Sequence, residues 1–473
     1  MKHTITAAGL FDGTRFHNKP VSIDVEGERI AAVRFDANSA SACPQTRFEQ
    51  HFVMPGMINA HTHIARGGMF EAEEPVMLRQ MAQNLAGTLD SGVTTVGDMG
   101  CTAGLITSLR EHTSASVAGG PDILASGPLL TAPKGYPLNW LSPMHRTLGV
   151  AVPCSNERET ARTVQRLRER GVDHIKLAFM DTSFQEQPMP TLESAVARAA
   201  ADEAHRLGMR VYAHAHSLGD YHRALDAGVD ALMHSCFEPL DQETVRRIAD
   251  TGMAMTPTLF AYESVCVGAE QHWDQDGHYT QGITGPLLRS WTRFAEAYRE
   301  SGNVVPDMYP PAGVRRARAD ELMRVAAANL VLLRDVGVPV AFGSDAAYGF
   351  CRMDRPLDEL SAMGRAGLSH QEVLVAATRA AADLLRLADR GRIAPGCRAD
   401  LVVVPSSVRT DLDALQHIVA VFRRGQRVLP LGGARASTPA LRHVLRRARA
   451  MAAASRGIAR TVGSACLDVL ASA

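Results

Sequence analysis

Between about residues 54 and 391 of this 473-residue chain, eight short apolar runs alternate with longer helical segments. The runs read MPGMINAH, TTVGDMG, DILASG, HIKLAF, RVYAHAH, ALMHS, AMTPTLF and VAFGSDAA. Parallel neighbours need a crossover long enough to hold a helix, so this alternation is the signature of a parallel sheet. Eight such units predict a closed α/β structure, a (β/α)8 TIM barrel over residues 54–391. VMLRQMAQNLAGTLDSG, LESAVARAAADEAHRLG and HQEVLVAATRAAADLLRL read as its amphipathic helices, the first two closed by a glycine.

The two flanks differ from this pattern. Residues 1–53 break into the alternating pieces ITAAGLFDG, VSIDVEGERIAAV and TRFEQHFV, and GRIAPGCRADLVVVP and HIVAVFRRGQRVL have the same character near the other end. A small β-sandwich subdomain built from 1–53 plus 392–430 follows. Residues 431–473 are rich in alanine and arginine and read as a helical extension that packs on or solvates the surface. Two connections, 131–157 and 261–312, exceed the length of idle turns. The second follows the seventh strand, and its Trp273, His278 and Tyr279 are expected to contact substrate from a lid.

Composition removes several classes of function. Lys+Arg and Asp+Glu both total 50, so no overall basic field exists to hold nucleic acid or an anionic membrane surface. No apolar stretch approaches the roughly 18 residues of a membrane span. The N-terminal MKHTITAAGLFDG reaches Asp and Gly too early for a signal peptide, which points to a cytoplasmic protein. The 8 cysteines lack CxxC spacing and read as reduced thiols, with neither a zinc finger nor a disulfide framework. The 18 histidines are more telling, because several sit inside apolar runs where an unpaired imidazole is costly.

In a barrel the C-terminal ends of the strands converge on one rim, and there the polar residues accumulate. His61 and His63 end the first strand two residues apart, on one face, so both imidazoles reach the same ion. Lys176 lies in the fourth strand, His214 in the fifth, His234 ends the sixth and Asp345 the eighth. His216 shares a strand face with His214 and is a candidate substrate contact. His174 shares the face of Lys176 and reads as core, and Asp98, ending the second strand, reads as a structural hydrogen-bonding carboxylate. Arg66, on the first βα loop, has the bidentate geometry to clamp a substrate carboxylate.

The ordered set MPGMINAHTH, DHIKLAF, VYAHAH, ALMHS and FGSDAA, followed by GRIAPGCRADLVVV, resembles the amidohydrolase superfamily in its imidazolonepropionase-like and Xaa-Pro-dipeptidase-like branch. The resemblance covers about residues 1–430 and implies a barrel with a flanking β-sandwich and a divalent metal centre. It matches His61 and His63 to the first-strand ligands and Lys176 to a carboxylated bridging lysine. His214 and His234 match the second metal's ligands, and Asp345 the last-strand aspartate. Tyr136 stands where many relatives carry a histidine, a departure that unsettles dipeptide specificity, although a phenol can donate to a developing oxyanion.

The chemistry is coherent. A lysine desolvated between apolar neighbours loses its proton and can take up carbon dioxide as an anionic carbamate able to bridge two cations. The implied cofactors are two zinc ions per chain, with manganese, cobalt or iron as substitutes, and carbon dioxide as the lysine carbamate. Asp345 would pass the nucleophile's proton to the leaving nitrogen. The expectation is a metal-dependent hydrolase that uses metal-activated hydroxide on an amide-type C–N bond of a dipeptide, N-acyl amino acid or cyclic amide. Its partners are then a small-molecule amide and, as is common among relatives, further copies of the chain in a homo-oligomer. Two other readings stay open: a hydrolytic deaminase of an aminoheterocycle, and a catalytically inactive barrel acting as a binding protein.

Overall fold

The computed structural model describes residues 2–35, 43–65, 74–139, 149–182, 188–268, 271–280, 283, 285–301, 312–346 and 350–429. Arg66 and the extension 431–473 lie outside the described residues. In the N-terminal segment the period-2 pattern places Val21, Ile23 and Val25 of β3 (Val21–Glu26) on one buried face. They meet Ile5 and Leu10 of β1 (Lys2–Phe11) and, from the far end of the chain, Leu401 and Val403 of β15 (Leu401–Pro405) in a single apolar cluster. In hydrogen bonding this flanking β domain is one continuous eight-stranded sheet. Its order is β17 (Gln426–Leu429), β16 (Ala420–Arg423), β15, β5 (Gln45–Pro55), β1, β3 and β4 (Arg29–Arg34), with β2 (Phe16–His17) on β1. The opposite face of β15, with Val402 and Val404, joins the main core of the barrel, so this strand seals both layers.

One residue, Gly56, separates β5 from the first barrel strand, β6 (Met57–Thr62). The parallel barrel continues through β7 (Val93–Asp98), β8 (Asp122–Ala125) and β9 (Leu129–Thr131). β10 (Ala151–Pro153) lies on the outer edge of β9. β11 (His174–Ala178) follows, linked to β8 where the Asp173 N–H donates to the Ala125 carbonyl at 2.7 Å. β12 (Arg210–His214), β13 (Ala231–Met233) and β14 (Ala254–Thr256) complete the series.

Two expected strands are corrected by the structure. AMTPTLF is a strand only to Thr256, because Pro257 has no N–H for the ladder and Leu259 already opens the helix Leu259–Gly268. VAFGSDAA is not a regular strand, yet it closes the barrel. The Ala341 N–H donates to Met255 O on one side, and Ala60 N–H to Phe342 O and Asp345 N–H to His61 O on the other.

The long segment after β14 folds into the helices Leu259–Gly268, Gly277–Thr280 and Gly285–Ser301. Trp273, only 7% exposed, stacks on Tyr279 at 4.1 Å and on Phe260 at 5.8 Å and packs edge-on against Phe350. Trp273 is thereby core of the insertion, contrary to its expected place on a substrate-facing lid, and the His278 side chain lies outside what is described. Among the described residues no helix is long and apolar enough to cross a membrane.

Candidate metal centre

The period of β6 puts Asn59, His61 and His63 on one face. The Nε2 atoms of His61 and His63 lie 3.2 and 3.0 Å from Asp345 Oδ1, and all three residues are buried. Asn59 fixes this approach by donating from Nδ2 to Ser344 Oγ at 2.7 Å and accepting from the Ser344 N–H at 3.1 Å, which staples the first strand to the closing segment. Gly343 is required there, since a Cβ would sit 2.3 Å from Thr256 Cγ2 and 2.6 Å from His61 Cβ. Asp345 itself has φ of 53°, a left-handed conformation that costs a non-glycine residue about 1–3 kcal/mol.

His214 closes β12 and His234 follows β13, with a φ of 86°. Their rings are 4.5 Å apart, and His216 lies 4.3 Å from the first and 4.7 Å from the second. One nitrogen from each of His214, His216 and His234 falls within a common 4.8 Å, as do the ligand atoms of His61, His63 and Asp345. The two sets touch where the His61 and His234 rings approach to 4.8 Å.

The tautomer of His234 follows from its partners. The Thr258 hydroxyl donates to the Pro257 carbonyl, so its oxygen accepts from His234 Nδ1–H at 2.7 Å and leaves Nε2 bare. His63 Nδ1 lies 3.4 Å from Gly100 O, while its Nε2 faces Asp345.

Burial pushes His61 down to about 3 and His216 to about 3, and holds His214 and His234 well below the ordinary imidazole range, so the imidazoles are neutral and can ligate. Burial alone would raise Asp345, but His61 and His63 beside it keep it well below the usual carboxylate range.

Lys176, on β11, is 1% exposed and its Nζ has no hydrogen-bond partner among the described residues. Desolvation pushes it down to about 7, opposed by the Asp345 charge. The Lys176 charge acts on His61 of one set and on His214 and His234 of the other. His61 Nδ1 and His214 Nε2 are also buried without hydrogen-bond partners among the described residues. Several orphaned nitrogens around an anionic carboxylate cost too much to be packing, and the donor set of neutral imidazoles, a carboxylate and a neutral-leaning amine fits divalent cations.

The structure brings His61, His63, Lys176, His214, His234 and Asp345 together at one rim. His216 joins the second imidazole set, and the Tyr136 ring stacks on His214 at 4.1 Å. His174 packs against Tyr212 at 4.9 Å. Asp98 accepts from the Ile64 N–H at 3.0 Å and the Gly100 N–H at 3.3 Å, a loop-holding carboxylate. Three supporting residues escaped sequence reasoning. Asn59 carried a usable signal, being two positions before His61; Thr258 and Tyr262, whose hydroxyl lies 2.8 Å from His216 Nε2, carried none.

The model of the Amidohydrolase family matches residues 52–428. Over 385 residues the chain is 27% identical to an uncharacterised protein of Mycobacterium tuberculosis (strain ATCC 25618 / H37Rv), covering 80% of this chain and 86% of that one. It is 27% identical over 373 residues to the imidazolonepropionase of Ruegeria sp. (strain TM1040), covering 77% and 80%. Among solved structures, a Xaa-Pro dipeptidase with methionine bound in its active site superposes with a TM-score of 0.73 at 22% identity, covering 90% of this chain and 99% of that one. That likeness is one of fold.

Proposed function

The chain belongs to the amidohydrolase family, and from that membership we propose that it is a metal-dependent hydrolase of an amide-type C–N bond, acting with two divalent cations. The observation that carries this is the pair of adjoining donor sets, together with the buried Lys176 amine, which has no hydrogen-bond partner among the described residues and acts electrostatically on both sets. His61, His63 and Asp345 would hold one cation. His214 and His234 would hold the other, with Lys176 bridging once its neutral amine has added carbon dioxide and released a proton to become a carbamate.

When bound, the cations supply an acidified water and a polarised scissile carbonyl. The chain's own residues do the rest. Asp345, kept ionised by its imidazole neighbours, accepts the proton of the attacking water and hands it to the leaving nitrogen. The neutral imidazoles keep their lone pairs at physiological pH, so ligation does not wait on deprotonation. Tyr136, whose ring stacks on His214, would donate from its phenol to oxygen charge developing on the substrate. Desolvation favours the neutral amine that carbamate formation at Lys176 requires.

Elemental analysis of the purified protein, paired with assays on dipeptides, N-acyl amino acids and lactams, tests this reading. The dipeptidase and imidazolonepropionase likenesses put dipeptides and imidazolone rings at the head of the panel. About two divalent ions per chain and release of an amine and a carboxylate are expected. A single ion with ammonia release from an aminoheterocycle would instead establish the deaminase, and a chain that takes up no metal and turns over nothing would establish the binding protein.

A further inference from the structure

We propose that His216 is a third imidazole ligand of the second cation site and that Tyr262, from the helix after β14, is the residue that positions it. The inference deepens the divalent-cation reading and rests on it. Sequence spacing alone leaves His216 as a neighbour of His214, since two residues on one strand face are expected to be close. The structure adds two things that spacing does not supply.

First, His216 is as much part of the second set as His214 and His234 are. One nitrogen of each falls within the same 4.8 Å, and the three ring separations of 4.3, 4.5 and 4.7 Å are nearly equal. Second, the His216 ring is held in a fixed attitude. Phe237 stacks on it at 5.4 Å with planes 19° apart, and Tyr262 meets it edge-on with its hydroxyl 2.8 Å from Nε2. Its backbone is fixed as well, because the His216 N–H donates to Asp220 Oδ2 at 3.3 Å and its carbonyl accepts from the Phe237 N–H at 2.8 Å.

Tyr262 engages Nε2, so the proposal assigns Nδ1 of His216 to the cation, much as Thr258 engages Nδ1 of His234 and leaves Nε2 to the ion. Three neutral imidazoles give the second cation a complete protein-derived set of the kind divalent zinc accepts. His214, His216 and His234 would then hold the ion without depending on Lys176.

Stepwise cobalt(II) titration of the metal-stripped full chain, followed by visible absorption and by competition with a chelator, reads this without substrate. Wild type, His216→Ala, His216→Gln and Tyr262→Phe are compared, each checked for fold by circular dichroism; the glutamine fills the ring's space should the alanine variant not fold. Two ions are expected in wild type. Both His216 variants should lose the second and its absorption band, while Tyr262→Phe should weaken that ion by roughly ten- to hundredfold, the usual cost of removing a ligand's outer partner. His216 variants that hold both ions with unchanged affinity and spectrum would overturn the inference and leave the two-cation hydrolase standing, and a wild type that takes up one ion only would overturn the inference and the two-cation reading together. A wild type that binds no cobalt would remove the proposed function together with it.

Discussion

Asp345 combines two properties that a single substitution can separate. It is a ligand-type oxygen facing His61 and His63, and it is the site's proton acceptor. Asp345→Asn keeps the shape and one oxygen but cannot accept a proton, so we expect fold and much of the metal to persist while turnover falls at least about a hundredfold. Steady-state rates beside metal content check this, and near-normal turnover would take the proton role away from Asp345. The same residue shows why the ligands were legible in the sequence. A carboxylate, a lysine and four histidines inside apolar strands have no inexpensive packing explanation, and strand period fixes where each points. Tyr262 and Thr258 were not legible for the opposite reason. They are ordinary residues of a helix and a turn, and what makes them important is a hydrogen bond to a ring 46 or 24 positions away.

At the scale of elements, the helix Leu259–Gly268 that carries Tyr262 starts on a buried acid from another helix. Glu359, within Pro356–Arg365, accepts from the Leu259 N–H at 3.0 Å and the Phe260 N–H at 2.6 Å. Burial pushes it up to about 8 from an ordinary 4.5. The folded chain then holds a proton that the unfolded chain releases above 4.5. The stability it lends is complete below that value and is lost as pH rises toward 8, at up to about 1.4 kcal/mol per pH unit. Glu359→Gln removes the titration, so its melting temperature should vary less between pH 5 and 8 than that of wild type; parallel curves would contradict the shift.

The join between sheet and barrel is also electrostatic. Asp122, opening β8, pairs with Arg390 at 2.8 Å, Arg424 at 2.9 Å, and with Arg398 and the fully buried Arg423. Arg423 also donates to the carbonyls of Thr113, Ser116 and Val117 at the end of the helix Ala103–Ala115, where a cation is favoured. Asp122→Asn strands buried guanidiniums and should cost about 3–5 kcal/mol in urea denaturation. A loss below about 1 kcal/mol would show that water or Asp400 compensates. None of this knot was readable beforehand, because arginines near residues 390–424 look like solvated charge until the fold brings them to Asp122. The strand pattern itself was readable, except at the two places where Pro257 and Gly343 override it.

For the molecule as a whole, the six expected ligands come from five different strand ends, so bound cations would cross-link the rim of the barrel. The seam most dependent on them is the closing segment. It is no regular strand, and it is tied to β6 by a few backbone bonds, the Asn59–Ser344 staple and the approach of Asp345 to His61 and His63. With the cations removed, the imidazoles and Asp345 must satisfy one another alone, while the flanking sheet keeps every contact it has. Any group that binds only the folded state adds RT ln(1 + [L]/Kd), about 4 kcal/mol at a thousandfold excess over Kd, so stripping should lower the melting temperature by several degrees. The loss should also be local. Hydrogen exchange after chelation is expected to rise in peptides covering 57–63 and 339–346, with those covering 21–26 and 401–405 unchanged. Exchange that rises uniformly would mean the cations stabilise the whole chain rather than its seam, and exchange that does not rise at all would mean that Asn59 and Ser344 close the barrel without them.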